Sequence, residues 1–156
     1  MPIQRGAKPR EQIGKAIGAE AVRKLQFVAT TGDITLSGMC RQATFPLKKT
    51  SSDKVDTTGA QSITTEIQVL RLGDVYILGL PGEVLVEVGR EIRKNAGIEK
   101  LLIATVTNDA IGYVCHSRAY DEGGYEPESG ASLAQGAGEI MVRESLALLG
   151  EIQRVN

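Results

Sequence analysis

The sequence has one histidine and two cysteines among 156 residues, and each shortage narrows what the chain can do. A single histidine, His116, leaves little imidazole for a metal centre built on this chain alone. Cys40 and Cys115 are too few and too far apart for a disulfide framework or a cysteine-based zinc site. They read as two unpaired thiols in a reducing compartment. No apolar run approaches the roughly 20 residues that a bilayer span needs. Met1 to Arg10 is polar and lacks the apolar centre of a secretory signal, so the chain reads as cytoplasmic if it is the full gene product. The formal net charge is −1, from 18 Lys and Arg against 19 Asp and Glu. The cations are dispersed, which excludes a basic nucleic-acid footprint. The length suits one buried core, and residues 1–156 read as a single domain.

What is present is a succession of short periodic segments. Pro9 is placed to open a helix, because a proline in the first turn forfeits no internal hydrogen bond. Ile13, Ile17, Ala21, Leu25 and Val28 then recur every four residues, which predicts an amphipathic helix to about Leu25. Gly14 and Gly18 share a face of it and favour close packing against a neighbour. After a turn at Thr31-Gly32-Asp33, Ile34 to Ser37 and Ala43 to Leu47 read as short strands, the second held to an edge by Pro46. Thr50 to Gln61 is small and polar, a connecting loop or a flap. Ser62 to Leu70 alternates cleanly, and Arg71 to Asp74 turns the chain back into Val75, so Ser62 to Leu80 predicts a β-hairpin. A closing helix is expected from about Gly138 to Ile152, with an apolar stripe suited to capping a sheet.

Between these lies the stretch with chemistry in it, Asp74 to Glu126. Val75 to Leu80 is an apolar strand broken by Pro81-Gly82. Val84, Leu85, Val88 and Ile92 follow at helical spacing, which would put Glu83 at a helix N-terminus. Leu101 to Val106 is unbroken and apolar, as for a strand buried on both faces of a parallel sheet. Glu83 and Tyr113 then both fall past the C-terminal ends of strands, the edge where open α/β sheets place ligands. The fold class expected is α/β, a mixed sheet with an antiparallel hairpin and parallel central strands, flanked by about three helices.

Three motifs in this order, Pro81-Gly82-Glu83, Asn108-x-x-x-x-Tyr113 and Tyr125-Glu126, resemble the neutral/alkaline ceramidases. Those are zinc-dependent amidases that cleave the N-acyl bond of ceramide. The resemblance implies that Glu83 and Tyr113 are zinc ligands and that Tyr125 approaches the substrate, binding it and assisting catalysis. It also exposes gaps. The family's ligand histidines and its serine in an Asn-x-Gly-Asp-x-Ser-Pro-Asn setting have no counterpart here. The resemblance therefore implies the C-terminal part of a longer catalytic domain. Its zinc, if bound, needs ligands from outside this chain, supplied by the missing N-terminal part or by a separate subunit. The implied substrate is an N-acyl amide or lipid-like compound. Apolar surface left by the missing part would be covered by self-association into a homo-oligomer.

Each residue also has a plainer reading. Glu83 in a first helical turn would satisfy backbone N–H groups and the positive helix end. Tyr113 and Tyr125 could be packed tyrosines whose hydroxyls each find one hydrogen bond. Asn108 and Asp109 are read as turn-shaping residues. His116, outside the family pattern, is read as solvent-facing or hydrogen-bonded rather than as a ligand. The alternative function is a non-catalytic α/β binding or assembly module that retains the scaffold.

Overall fold

A computed structural model describes residues 7–30, 32–48 and 61–155. The loop expected from Thr50 to Gln61 lies, up to residue 60, outside the described residues. The chain divides into two compact units, Met1–Ile34 and Thr35–Asn156. The first carries helix α1, Ala7–Leu25, whose third residue is Pro9. Glu11–Lys15 and Glu20–Arg23 ion pairs run along it. Ile13, Ile17, Leu25 and Val28 on it and just after it are exposed. Gly14 and Gly18 meet no packing neighbour within that unit.

The second unit is a mixed sheet with helices. Strand β1, Leu36–Pro46, pairs antiparallel with β2, Ser62–Leu72, which pairs antiparallel with β3, Val75–Gly79. A parallel strand β5, Leu101–Ala104, lies on the far side of β3, giving the order β1-β2-β3-β5. Between β3 and β5 come a two-residue strand β4, Glu83–Val84, and helix α2, Val86–Asn95. A second short strand β6, Tyr113–Val114, pairs parallel with β4 in a sheet of its own. Helix α3, Ser117–Glu122, a single π-helical turn at Glu126–Gly130, and helix α4, Ala137–Ile152, complete the unit. The predicted hairpin, edge proline, closing helix and mixed α/β class are all present.

The alternation read in β2 sorts its two faces. Thr65, Ile67 and Val69 are buried, while Ser62, Thr64 and Leu70 are exposed. The buried row meets Phe45 of β1, Leu78 of β3, Val88 and Ile92 of α2, and Met141, Leu148, Leu149 and Ile152 of α4 in one core. Arg41 of β1 ties the sheet to α4 by pairing with Glu144 and Glu151.

Three expectations are corrected. The two short strands expected between Ile34 and Leu47 are one continuous strand, β1, because Gly38 to Arg41 keep unbroken register with β2. Leu101 to Val106 is not a strand buried on both faces. It lies at the sheet edge, ends at Ala104, and leaves Leu102 55% exposed, since no further strand of the described residues pairs on that side. The helix after the Pro-Gly break begins at Val86, with Leu85 as its N-cap, because Glu83 and Val84 are taken up by pairing with β6. Glu87, not Glu83, is the acidic residue of its first turn.

Leu78 and Leu102 belong to neighbouring strands with opposite surroundings, and their truncation should separate accordingly. Leu78→Ala is expected to cost about 2–5 kcal/mol, and Leu102→Ala at most about 0.5 kcal/mol, the ordinary range for a surface change. Denaturant midpoints of the two variants check this ordering.

Candidate functional site

Glu83 and Tyr113 are Cα partners in the β4–β6 ladder. Directly paired residues in adjacent strands project to the same face about 5 Å apart, so the register brings carboxylate and phenol together. The chain reaches this register through Pro81-Gly82. Gly82 has φ of +76°, and a Cβ there would collide with the Gly112 carbonyl oxygen and stand 2.8 Å from Ile111 Cγ1. Only glycine fits a left-handed conformation pressed this closely against backbone.

Main-chain hydrogen bonds stitch the turn to the segment after β5. The Val106 N–H donates to the Gly82 carbonyl at 2.8 Å and the Thr107 N–H to the Leu80 carbonyl at 3.0 Å. The Glu83 N–H donates to Gly112 at 2.9 Å, and the Leu85 N–H to Val114 at 3.1 Å. Val106 and Asn108 both take positive φ, at 55° and 68°. For a β-branched residue this is an outlier of order 1–3 kcal/mol, sustained by the surrounding bonds. Asp109 braces the turn as expected. Its Oδ1 accepts from the Ala110 N–H at 2.8 Å, and its Oδ2 from Thr65 Oγ1 at 2.9 Å. Asn108 instead reaches a side chain, donating to Glu66 Oε1 at 3.2 Å.

Tyr125 precedes the π-helical turn and sets its ring edge-on to Tyr113, with centroids 6.2 Å apart and planes at 83°. The contact depends on Gly130 at the end of that turn. A Cβ there would stand 2.7 Å from Tyr113 Cδ2 and 3.3 Å from Tyr125 Cε1. Lys48 anchors the turn by donating to the carbonyls of Pro127 and Glu128. Glu83, Tyr113 and Tyr125, the three residues singled out in the sequence, thus form one partly solvent-exposed group. Gly130 was not singled out. A glycine ending a polar segment gives no sequence signal of two rings packed against it.

His116 is apart from this group in role. Its Nδ1 accepts from the Arg118 N–H at 3.2 Å and caps α3, as the hydrogen-bonded reading expected. Its Nε2 stands 3.6 Å from Glu139 and 3.7 Å from Glu91. Cys115 is buried and Cys40 exposed, both as free thiols.

The charge of Glu83 pushes the Tyr113 phenol above its ordinary range, with burial and hydrogen bonding to that carboxylate acting in the same direction. A phenol must lose its proton to bind a metal, and beside Glu83 alone it keeps it. A cation between the two oxygens would reverse that balance. In this respect the pair fits a zinc ion, which accepts carboxylate oxygen. In number it falls short. Among the described residues no three His, Cys, Asp or Glu side chains gather where a metal could be held. Among the described residues the site offers two oxygen donors toward the four that zinc usually takes.

No protein-family model matches the sequence, and no curated protein sequence does. Solved structures do match by fold, two ceramidases among them. One is a ceramidase complexed with C2, with a TM-score of 0.52 and 23% identity over 58% of this chain. The other is neutral ceramidase from Pseudomonas aeruginosa, with a TM-score of 0.56 and 15% identity over 76% of this chain. The matched parts are 15% and 28% of those two chains. The chain shares its fold with a segment of neutral ceramidase, and the resemblance carried by the motifs holds at that level.

Removing the Glu83 charge should ease ionisation of its neighbour. In Glu83→Gln the Tyr113 midpoint is expected to move down toward the ordinary tyrosine range, followed by phenolate absorbance with Tyr113→Phe as the subtraction. An unmoved midpoint would show that the two groups do not face each other. Gly130→Ala is expected to force the two rings apart and cost about 1–3 kcal/mol, as overpacking does. Loss of the inter-ring cross-peaks in NMR spectra checks the first effect and denaturant unfolding the second.

Proposed function

We propose that this chain is one part of a zinc-dependent amide hydrolase related to neutral ceramidase, acting on an N-acyl amide. The observation that supports this reading is the register of β4 on β6. It sets a carboxylate and a phenol side by side, with a second phenol edge-on to them, in a fold shared with that enzyme. Glu83 and Tyr113 would hold the zinc from one side, and the remaining ligands would come from residues outside this chain. When bound, zinc supplies an activated water and polarises the amide carbonyl.

The chain's own residues have separable tasks. Glu83 brings the negative charge that attracts the cation, and it is exposed enough to meet a ligand arriving from solvent. Tyr113, held neutral in the free chain by Glu83, is poised to lose its proton as the cation arrives. Tyr125 is 66% exposed, with its ring edge fixed against Tyr113. Its hydroxyl is free to donate to the developing oxyanion of the substrate.

The second reading, a binding or assembly module without catalysis, draws support from the shortage of donors among the described residues. The isolated chain is expected to fold, to hold zinc poorly and to leave N-acyl amides intact. In the assembly that includes the remaining ligands, Glu83→Ala is expected to lose most of the bound zinc, measured by elemental analysis. There, Tyr125→Phe is expected to lower kcat about 10²–10³-fold with zinc retained. Wild-type zinc content in Glu83→Ala would remove the ligand role and leave the module reading standing.

A further inference from the structure

Helix α3 lies on the chain between the strand that carries Tyr113 and the turn that Tyr125 precedes, and its start is held by two side-chain acceptors. His116 Nδ1 accepts from the Arg118 N–H at 3.2 Å, and Glu139 Oε1 of α4 accepts from the Ser117 N–H at 2.9 Å. These are the first two N–H groups of the helix, which has no acidic residue in its own first turn to take them and no intrahelical acceptor for them. The two acceptors are also neighbours of each other. His116 Nε2 stands 3.6 Å from Glu139 Oε1 and 3.7 Å from Glu91 Oε2 of α2. The backbone of His116 is pressed against α4, since a Cβ on Gly138 would lie 2.6 Å from the Cys115 carbonyl oxygen and 3.0 Å from His116 Cα.

The bond at Nδ1 fixes the tautomer. A ring nitrogen that accepts a hydrogen bond carries no proton, so the neutral imidazole bears its proton on Nε2, the atom facing the two carboxylates. Imidazolium has two donors and no acceptor. Protonation forms an N–H bond at Nδ1 and removes the acceptor of the Arg118 N–H, so the cap is lost. Burial raises the Glu139 carboxyl, but hydrogen bonds from Ser117 and from its own N–H, with the His116 charge last, outweigh it and hold the group below its ordinary range. It is therefore anionic wherever imidazole titrates. Its second oxygen, Oε2, is buried and has no hydrogen-bond partner among the described residues. A hollow of about 170 Å³ beside the ring is lined by further charges, Glu87 of α2, Arg118 and Glu122 of α3, and Glu126 of the π-helical turn. Arg118 is paired with Glu122 at 3.0 Å, so the groups facing the ring are acidic apart from a guanidinium already engaged.

We infer that His116 is a proton-operated catch on α3. Neutral, it caps the helix through Nδ1. Charged, it gives up the Arg118 N–H and pairs with Glu139 and Glu91, which draws Glu139 away from the Ser117 N–H. One protonation thus disengages both acceptors that hold the first turn, and the same ring then joins α2 to α4. The catch needs neither zinc nor turnover, so it stands or falls separately from the function proposed above. It acts on the stretch of chain between the two phenols of the candidate site.

NMR titration of the full chain from about pH 8 to about pH 5, the range in which an imidazole changes charge, tests the inference. The Arg118 amide proton is expected to move upfield in step with the His116 ring resonances, as an amide losing its acceptor does. The Gly123 amide, which donates to the Ala119 carbonyl, reports the far end of α3. Its protection, corrected for intrinsic exchange, should fall about two- to thirtyfold across the same midpoint, the ratio equivalent to a lost N-cap. His116→Asn keeps a side-chain acceptor at every pH. In that variant the Arg118 amide and the Gly123 protection should stay constant over the range. Glu139→Gln leaves an oxygen for the Ser117 N–H but removes the charge, and should move the His116 midpoint down. An Arg118 amide that ignores the His116 titration, a pH response undiminished in His116→Asn, or a His116 midpoint unmoved in Glu139→Gln would each overturn the catch.

Discussion

Everything at the candidate site depends on a parallel ladder two residues long. Among the described residues β4 and β6 have no other strand beside them, and their pairing sets Glu83 opposite Tyr113. So short a ladder cannot supply its own stability. It is held from outside by hydrogen bonds from the residues after β5, by Asp109 bracing the turn against Thr65, and by Val114 in the main core. The strained backbone at Val106 and Asn108 is the local cost of bringing those supports together.

Much of this was legible in the sequence, for definite reasons. Period-two alternation from Ser62 to Leu70 gave a strand with one buried face, and the turn at Gly73-Asp74 gave its partner. The amphipathic stripe near the C-terminus gave α4. These patterns record burial, and burial is what periodicity reports. The three candidate residues were singled out for another reason. They stand in short motifs whose order resembles a known family; the register of β4 on β6 brings Glu83 and Tyr113 together, and the edge-on ring contact adds Tyr125.

The misreadings share a cause. An apolar run from Leu101 to Val106 records a preference for burial, but not whether the burying partner lies in the same chain. Its exposure at a sheet edge is the same sequence signal without its covering layer. Glu83 was placed in a helix because Val84, Leu85, Val88 and Ile92 keep helical spacing, yet the first two of these pack as strand and cap. Helix and extended backbone are locally close in energy there, and pairing with Tyr113 and Val114 decides between them. The helix and π-turn between His116 and Gly130 had no apolar periodicity to reveal them. A local cap from His116 defines one end and a tertiary bond from Lys48 the other.

The π-helical turn carries a consequence of its own. Its wider winding brings Gly130 beneath both tyrosine rings, and the lysine holding it in place lies two residues past the end of β1. The aromatic edge of the site is thereby tied to the end of β1, where Leu47 also bridges Leu133 and the Lys48 N–H donates to the Ser132 carbonyl. A displacement there would reach the turn that seats Tyr125 through Lys48, whereas Glu83 and Tyr113 are bound to each other by the β4–β6 ladder. The carboxylate and the first phenol are thus seated together, and the second phenol takes its seat from a separate part of the chain, so a change at Lys48 or Gly130 would touch one ring and leave the ladder itself alone.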